Sequence, residues 1–315
     1  MVIERDIFIS PEVYEPHFVV GSESLETGKL ERESVEGTQS RCEIGRIASP
    51  DNHGPVGDNY FASPDHDIYC AFDGVGTARD AQAAALAATK MQEAVEHHIE
   101  QVGGNLDHLS VEDMRSFLLR VVNRVQRGLK EMNKGKSLDQ SYLTTMVLAA
   151  IHGENCFVVS VGDSPALLRK EDGGMEQVTV SHDSVRDHFE RTKGFPKVID
   201  EVDGGLDADK LSALRDAQAH MSPLLKNRIT HMLGEDGPDI GFPFDVRMVK
   251  LQKGERLLLC SDGIPKELDD ETMSRVLDPK FDLKRSTSKM MFESQRNDGD
   301  GEYHDDRVGM VIERT

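Results

Sequence analysis

The stretch "CAFDGVG" (70–76) constrains this chain more than any other. A near-continuous apolar run, Ile68 to Phe72, leads straight into a carboxylate, Asp73, and two glycines follow, Gly74 and Gly76. The run reads as a buried strand. Burying a lone carboxylate costs several kcal/mol unless something pairs with it. The same pattern returns along the chain. "FVVSVGDSPA" ends a run at Asp163, and "RLLLCSDGIP" ends another at Asp262. "GPVGDNYFA" sets Asp58 just before an aromatic strand, and "YHDDRVGMVIE" sets Asp305 and Asp306 just before the last one. One such aspartate is an ordinary turn residue, satisfied by its own backbone. Five strand ends carrying them in one domain call for a shared explanation.

If those ends converge, unit charges about 5 Å apart repel by roughly 3 kcal/mol per pair at an effective dielectric near 20. Such a cluster needs cations, or it takes up protons. Aspartates without histidine or cysteine partners make a hard, all-oxygen site, which suits Mg²⁺ or Mn²⁺ rather than zinc or copper. The glycines admit a backbone carbonyl or a substrate at close range. Several carboxylates can hold two metals, a pair that generates hydroxide at neutral pH and clamps a phosphate in line.

Charge narrows the partners. A net charge of −20 over 315 residues argues against nucleic acid and anionic membrane, which need a basic footprint. No apolar run approaches the ~20 residues of a membrane span. The opening "MVIERDIFIS" carries Glu4 and Asp6 and does not read as a signal peptide. Cys42, Cys70, Cys156 and Cys260 are far apart and form no CxxC pair. Three of them sit in apolar runs and fit small core residues, and a reducing, cytoplasmic setting suits the set.

Along the chain, residues 1–40 read as an acidic N-terminal arm or linker, and a packed domain is expected over 41–315. A helix is expected over 77–102, with Thr77 as N-cap and Ala81, Ala85, Ala88, Val95, Ile99 and Val102 on one face. A second is expected over about 110–133, capped by Ser110, with Phe117, Val121, Val125 and Leu129 as its stripe. Runs at 144–153, 155–163 and 165–170 read as a meander of antiparallel strands. Residues 184–222 read as a charged, mostly surface insertion with helical pieces. A helix is expected at about 223–233, strands at 244–251 and 255–261, a last helix near 282–296 and a closing strand at 307–313. Strands and helices come in runs, which favours antiparallel sheets with helices outside them.

The blocks "GPVGDNYF", "CAFDGVG", "VVSVGDSPALL" and "LLLCSDGIPKEL", closing with "HDDRVGMVI", resemble in order and spacing the metal-dependent protein phosphatase 2C (PPM) family. The resemblance runs over about residues 41–313, with "VTVSHD" and "KNRITHMLG" as weaker matches. It implies an α+β fold, a four-layer αββα sandwich of two antiparallel sheets flanked by helices, with the site in a cleft at one edge. It implies hydrolysis of phosphoserine or phosphothreonine in proteins by a metal-bridging water, without a phosphoenzyme. Asp73 would bridge two metals, with the Gly74 carbonyl on one of them. Asp262 and Asp305 would bind the second metal, Asp58 would act through a bound water, and Asp163 would help hold a weaker third. Residues 184–222 match the flap beside the cleft.

The chain also departs from that pattern. The arginine usual five residues before the first aspartate is His53, so His53 or Arg46 is left to contact phosphate. Gly57 stands where an acid or Gln is common, Val75 where animal members often have His, and Asp306 where Asn is usual. These departures motivate a competing reading, a phosphatase-like module that binds without cleaving. A third reading, a phosphatase of a small metabolite, would share the metal site. Two other motifs fail on spacing. "GVGTAR" puts Arg79 where a dinucleotide loop needs its third glycine, and "RNDGDGEYHDDR" puts arginine at both ends of a would-be calcium loop.

Overall fold

The computed structural model describes residues 17–21, 29–49, 56–75, 80–201, 208–220, 228–236, 242–296 and 305–315. In chain order its strands are β1 (Val19–Val20), β2 (Leu30–Glu36), β3 (Ser40–Ile47), β4 (Asp58–Ser63), β5 (Ile68–Asp73), β6 (Met146–His152), β7 (Asn155–Val161), β8 (Ala166–Arg169), β9 (Met175–Gln177), β10 (Asp245–Lys250), β11 (Arg256–Cys260) and β12 (Arg307–Arg314). The helices are α1 (Asp80–Gln101), α2 (Val111–Asn133), α3 (Ser184–Lys193), α4 (Ala208–Ala219), α5 (Asp270–Val276) and α6 (Leu283–Arg296). Two antiparallel sheets of six strands run β1-β4-β5-β6-β7-β10 and β2-β3-β12-β11-β8-β9.

The unbroken apolar runs follow from this layering. Along β5, Tyr69 and Ala71 join Ile44, Leu257, Leu259 and Met310 in the core between the sheets. Ile68, Cys70 and Phe72 face the other way, onto Ala84, Ala87, Ala88 and Met91 of α1 and Phe117 and Val121 of α2. A strand covered on both faces has no reason to alternate. On the far side, Leu258, Cys260 and Val311 meet Met273, Val276, Met290 and Met291 from α5 and α6. The result is the expected four-layer sandwich. Helix α6 comes close because the cross-strand pair Gly45 and Gly309 has no side chains. A Cβ at Gly45 would lie 2.7 Å from Thr287, and one at Gly309 would lie 2.6 Å from Met290.

Helix α2 begins as its sequence indicates, with the Ser110 hydroxyl accepting the Asp113 N–H at 3.1 Å. Thr77 lies outside the described residues, and Ala85 is only half-buried while Ala84 and Ala87 carry the apolar face of α1. Three expectations need correction. The runs at 144–170 are not one meander: β6 and β7 pair in the first sheet, but β8 pairs β11 in the second. The crossing is made at Gly162, whose φ of 92° suits glycine and whose Cβ would meet Thr145 at 2.7 Å. The helix placed at 223–233 is not found over the described part, 228–233. There, Ile229 bridges Asp183 and Leu233 bridges Thr144. Finally, β1 and β2 come from within residues 1–40, so both sheets draw a strand from the segment read as an arm.

Within 184–222, α3 and α4 close over a small core of their own, Val180, Phe195, Ile199, Leu211 and Leu214. All four cysteines are free and buried. Among the described residues, no helix is long and apolar enough to cross a membrane.

Candidate metal centre

The two sheets bring the aspartates together at one end. Asp58 opens β4 and Asp73 closes β5, and the two are cross-strand partners. Asp163 lies on the crossing from β7 to β8, Asp262 follows β11, and Asp305 precedes β12. The main chain around Asp73 is pinned from β6. Its carbonyl accepts the Thr145 N–H at 2.8 Å and the Thr144 hydroxyl at 2.7 Å. The Gly74 N–H donates to the Gly57 carbonyl at 3.0 Å, so the residues just before Asp58 and just after Asp73 are joined.

The convergence has an electrostatic consequence. Burial pushes the Asp73 carboxyl well above its ordinary range, and the charges of Asp58, Asp262, Asp305 and Asp163 push it further. Burial does the same to Asp58, with Asp305 next, against a partial offset from the Ser261 hydroxyl. Asp163 is pushed up to about 8 by burial and then by Asp262. Asp262 is raised by burial, although Lys266 opposes the shift. Asp58 Oδ2 and Asp163 Oδ1 are buried with no hydrogen-bond partner. Buried acceptors of this kind are costly, and a divalent cation is the partner that their hard oxygen chemistry fits.

The acids are close enough to raise one another's pKa, yet no three of them among the described residues already stand in a metal-holding arrangement. Two of them are engaged elsewhere. The Lys266 ammonium lies 2.7 Å from Asp262 Oδ2 and 3.3 Å from Asp305 Oδ2. Burial works against its charge, but those two carboxylates outweigh it and hold the amine protonated. The unpartnered oxygens of Asp58 and Asp163 and the mutual charge of the cluster call for a cation, and aspartate rotamers adjust to one at little cost. The residues present fit the group.

The phosphate-contact expectation divides. His53 lies outside the described residues. Arg46 is fully buried; it pairs with Glu31 of β2 at 3.0 Å and donates to the Asp58 carbonyl at 3.4 Å. An enclosed guanidinium behind Asp58 supports that strand rather than meeting a phosphate that arrives from solvent.

Several supporting residues escaped the reading of the sequence. Lys266 was legible as a cation four residues after Asp262, one helical turn on. Arg307, buried at the start of β12, donates to the Gly263 carbonyl at 3.1 Å and so holds the turn after Asp262. Thr144 and Thr145 gave no signal beyond strand-forming residues. His182, by contrast, is with His53 one of the two histidines that the sequence marks for testing; it is fully buried and donates its main-chain N–H to the Gly162 carbonyl at 2.9 Å, beside Asp163. Its ring meets Gly162 as well, at 3.2 Å.

The family model of Protein phosphatase 2C matches residues 52–295. The serine/threonine phosphatase stp of Listeria innocua serovar 6a is 26% identical over 208 residues, which span 66% of this chain and 71% of that protein. Among solved structures, serine/threonine phosphatase Stp1 from Staphylococcus aureus superposes with a TM-score of 0.61 at 17% identity, over 90% of this chain and 98% of that one. The catalytic domain of the serine/threonine phosphatase PstP, in complex with two manganese ions, superposes with a TM-score of 0.59 at 17% identity, over 95% of this chain and all of that one.

Proposed function

The chain belongs to the protein phosphatase 2C family, and on that premise we propose that it hydrolyses phosphoserine and phosphothreonine esters of proteins with two Mn²⁺ or Mg²⁺ ions and no phosphoenzyme. The observation that carries this reading is the pair of buried, unpartnered oxygens on Asp58 and Asp163 inside a cluster of mutually repelling acids. Asp73, with the Gly74 carbonyl, would hold both ions. Asp262 and Asp305 would complete one of them, Asp58 would act through water, and Asp163 would serve a weaker third. When bound, the ions supply an acidified water as nucleophile and a positive clamp on the phosphate.

The chain's own residues do the rest. Thr144 and Thr145 fix the main chain at Asp73, and Arg307 fixes the turn at Asp262. The cluster's negative charge keeps a phosphate away until cations offset it. Lys266 pairs with Asp262 and Asp305, and a bound cation would compete with its ammonium for those carboxylates. His53 is retained as a phosphate contact. Phosphoproteins are the partners, and a cytoplasmic setting suits four free, buried thiols.

The test is hydrolysis of a phosphothreonine peptide, titrated with Mn²⁺ and then with EDTA, beside Asp262→Asn. We expect metal-dependent turnover that falls by at least about a hundredfold in the variant, whose fold is retained. Tight Mn²⁺ binding without turnover would overturn hydrolysis in favour of a binding module. Turnover equal in both proteins would sink the site.

A further inference from the structure

Two departures from the family pattern, Gly57 and Asp306, meet in space. Asp306 opens onto β12 of the second sheet, and its side chain is largely buried. Its Oδ1 accepts the N–H of Ser49 at 2.6 Å, and its Oδ2 accepts the N–H of Gly57 at 2.5 Å. Ser49 lies just beyond β3, and Gly57 is the residue before Asp58. We propose that Asp306 and Gly57 form a single clamp that sets the position of Asp58, which makes Asp306 a positioning residue of the site. The inference rests on the metal-site reading above.

The chemistry explains why both residues depart together. Two main-chain N–H donors from separate segments need two acceptor oxygens on one side chain. A carboxylate has them, whereas an asparagine in the same place has one acceptor and would turn an NH₂ group toward a second N–H. Hydrogen bonds to an ionised acceptor are also short and strong, as these are. Gly57 is the matching half. A Cβ there would lie 3.2 Å from Asp306 Oδ2, tighter than an ordinary contact. Its carbonyl is taken as well, by the Gly74 N–H at 3.0 Å. Gly57 is therefore held by its N–H to the second sheet and by its carbonyl to the segment after Asp73. Asp58 follows directly, with one carboxylate oxygen buried and unpartnered. A shift at Gly57 is passed to that oxygen through one residue of main chain.

The test compares wild type, Asp306→Asn, Gly57→Ala and the double variant. Mn²⁺ binding is followed by calorimetry, Tm is taken in EDTA, and kcat and KM are measured on a phosphothreonine peptide. We expect each single variant to weaken Mn²⁺ binding about tenfold or more and to lower kcat more than KM. The double variant should be no worse than the poorer single, because both changes break one contact. If Asp306→Asn does not fold, Gly57→Ala, which keeps the carboxylate, carries the same comparison. A wild-type isotherm in folded Asp306→Asn overturns the clamp. So does a fall in Tm with unchanged affinity, which marks a merely structural role, or strictly additive losses. Absence of Mn²⁺ binding by wild type overturns the metal-site reading and the clamp with it.

Discussion

Lys266 sits among acids whose function is to attract a different cation. Its ammonium is partly exposed, so its pairs with Asp262 and Asp305 are modest in strength. They still have to be broken when a divalent ion binds. Replacing Lys266 by Met should therefore tighten Mn²⁺ binding several-fold by calorimetry and lower Tm in EDTA. Unchanged values for both would mean the ammonium is a bystander. Titration belongs at this scale too. Burial, and then the charge of Asp262, pushes Asp163 up to about 8 in the folded chain from an ordinary 3.8. Between those values the native state holds a proton that the unfolded state releases, so stability falls as pH rises through that window. His182 runs the other way. Burial first, with Arg186 and His231 adding to it against Asp245, brings it down to about 3 from 6.5. There the unfolded state holds the extra proton, so stability falls as pH drops. Asp58, Asp73 and Asp262 are raised too, and together with Asp163 they outweigh His182, so metal-free stability should fall as pH rises from about 4 toward 8. Mn²⁺ should flatten that fall by replacing the protons on the cluster. Melting curves across pH, in EDTA and in Mn²⁺, decide this. A fall that persists unchanged with metal bound would exclude the aspartate cluster as its source.

At the level of elements, what the sequence made legible followed from burial. Strands covered on both faces announced themselves as apolar runs, and α2 announced itself through Ser110 and its stripe. What stayed hidden had little apolar area to show. Strand β2, "LERESVE", lies at a sheet edge and buries Val35 alone among its residues, so it reads as solvated chain. The change of sheet between β7 and β8 depends on one glycine torsion, and a tight turn looks alike whether it makes a hairpin or a crossing. The aspartates were legible because they recur, and Lys266 carried a signal in its spacing from Asp262; the role of Asp306 stayed hidden because its partners, Ser49 and Gly57, are far away in sequence. The contact of α6 with the second sheet gives a test at this level. Gly45→Ala puts a methyl against Thr287 and should destabilise the protein by about 1–3 kcal/mol in urea unfolding. Mn²⁺ affinity per folded molecule should not change. A neutral substitution would mean that α6 shifts freely on the sheet.

For the molecule as a whole, what matters is which parts own the site. Asp58 and Asp73 belong to the first sheet, Asp262 and Asp305 flank strands of the second, and Asp163 rides on the chain between them. The contact between the sheets is otherwise a layer of aliphatic and aromatic side chains. Such a layer resists separation but not sliding, because dispersion and hydrophobic forces have no preferred direction. A divalent ion gripped from both sides does have one. It would act as a rivet through two greased plates, turning a weak shear plane into a joint that resists sliding. Pulled by its ends in an optical trap, the Mn²⁺-loaded protein should yield at higher force and in fewer steps than the chelated one. Chelation would then loosen the machine mechanically as well as switch off its chemistry.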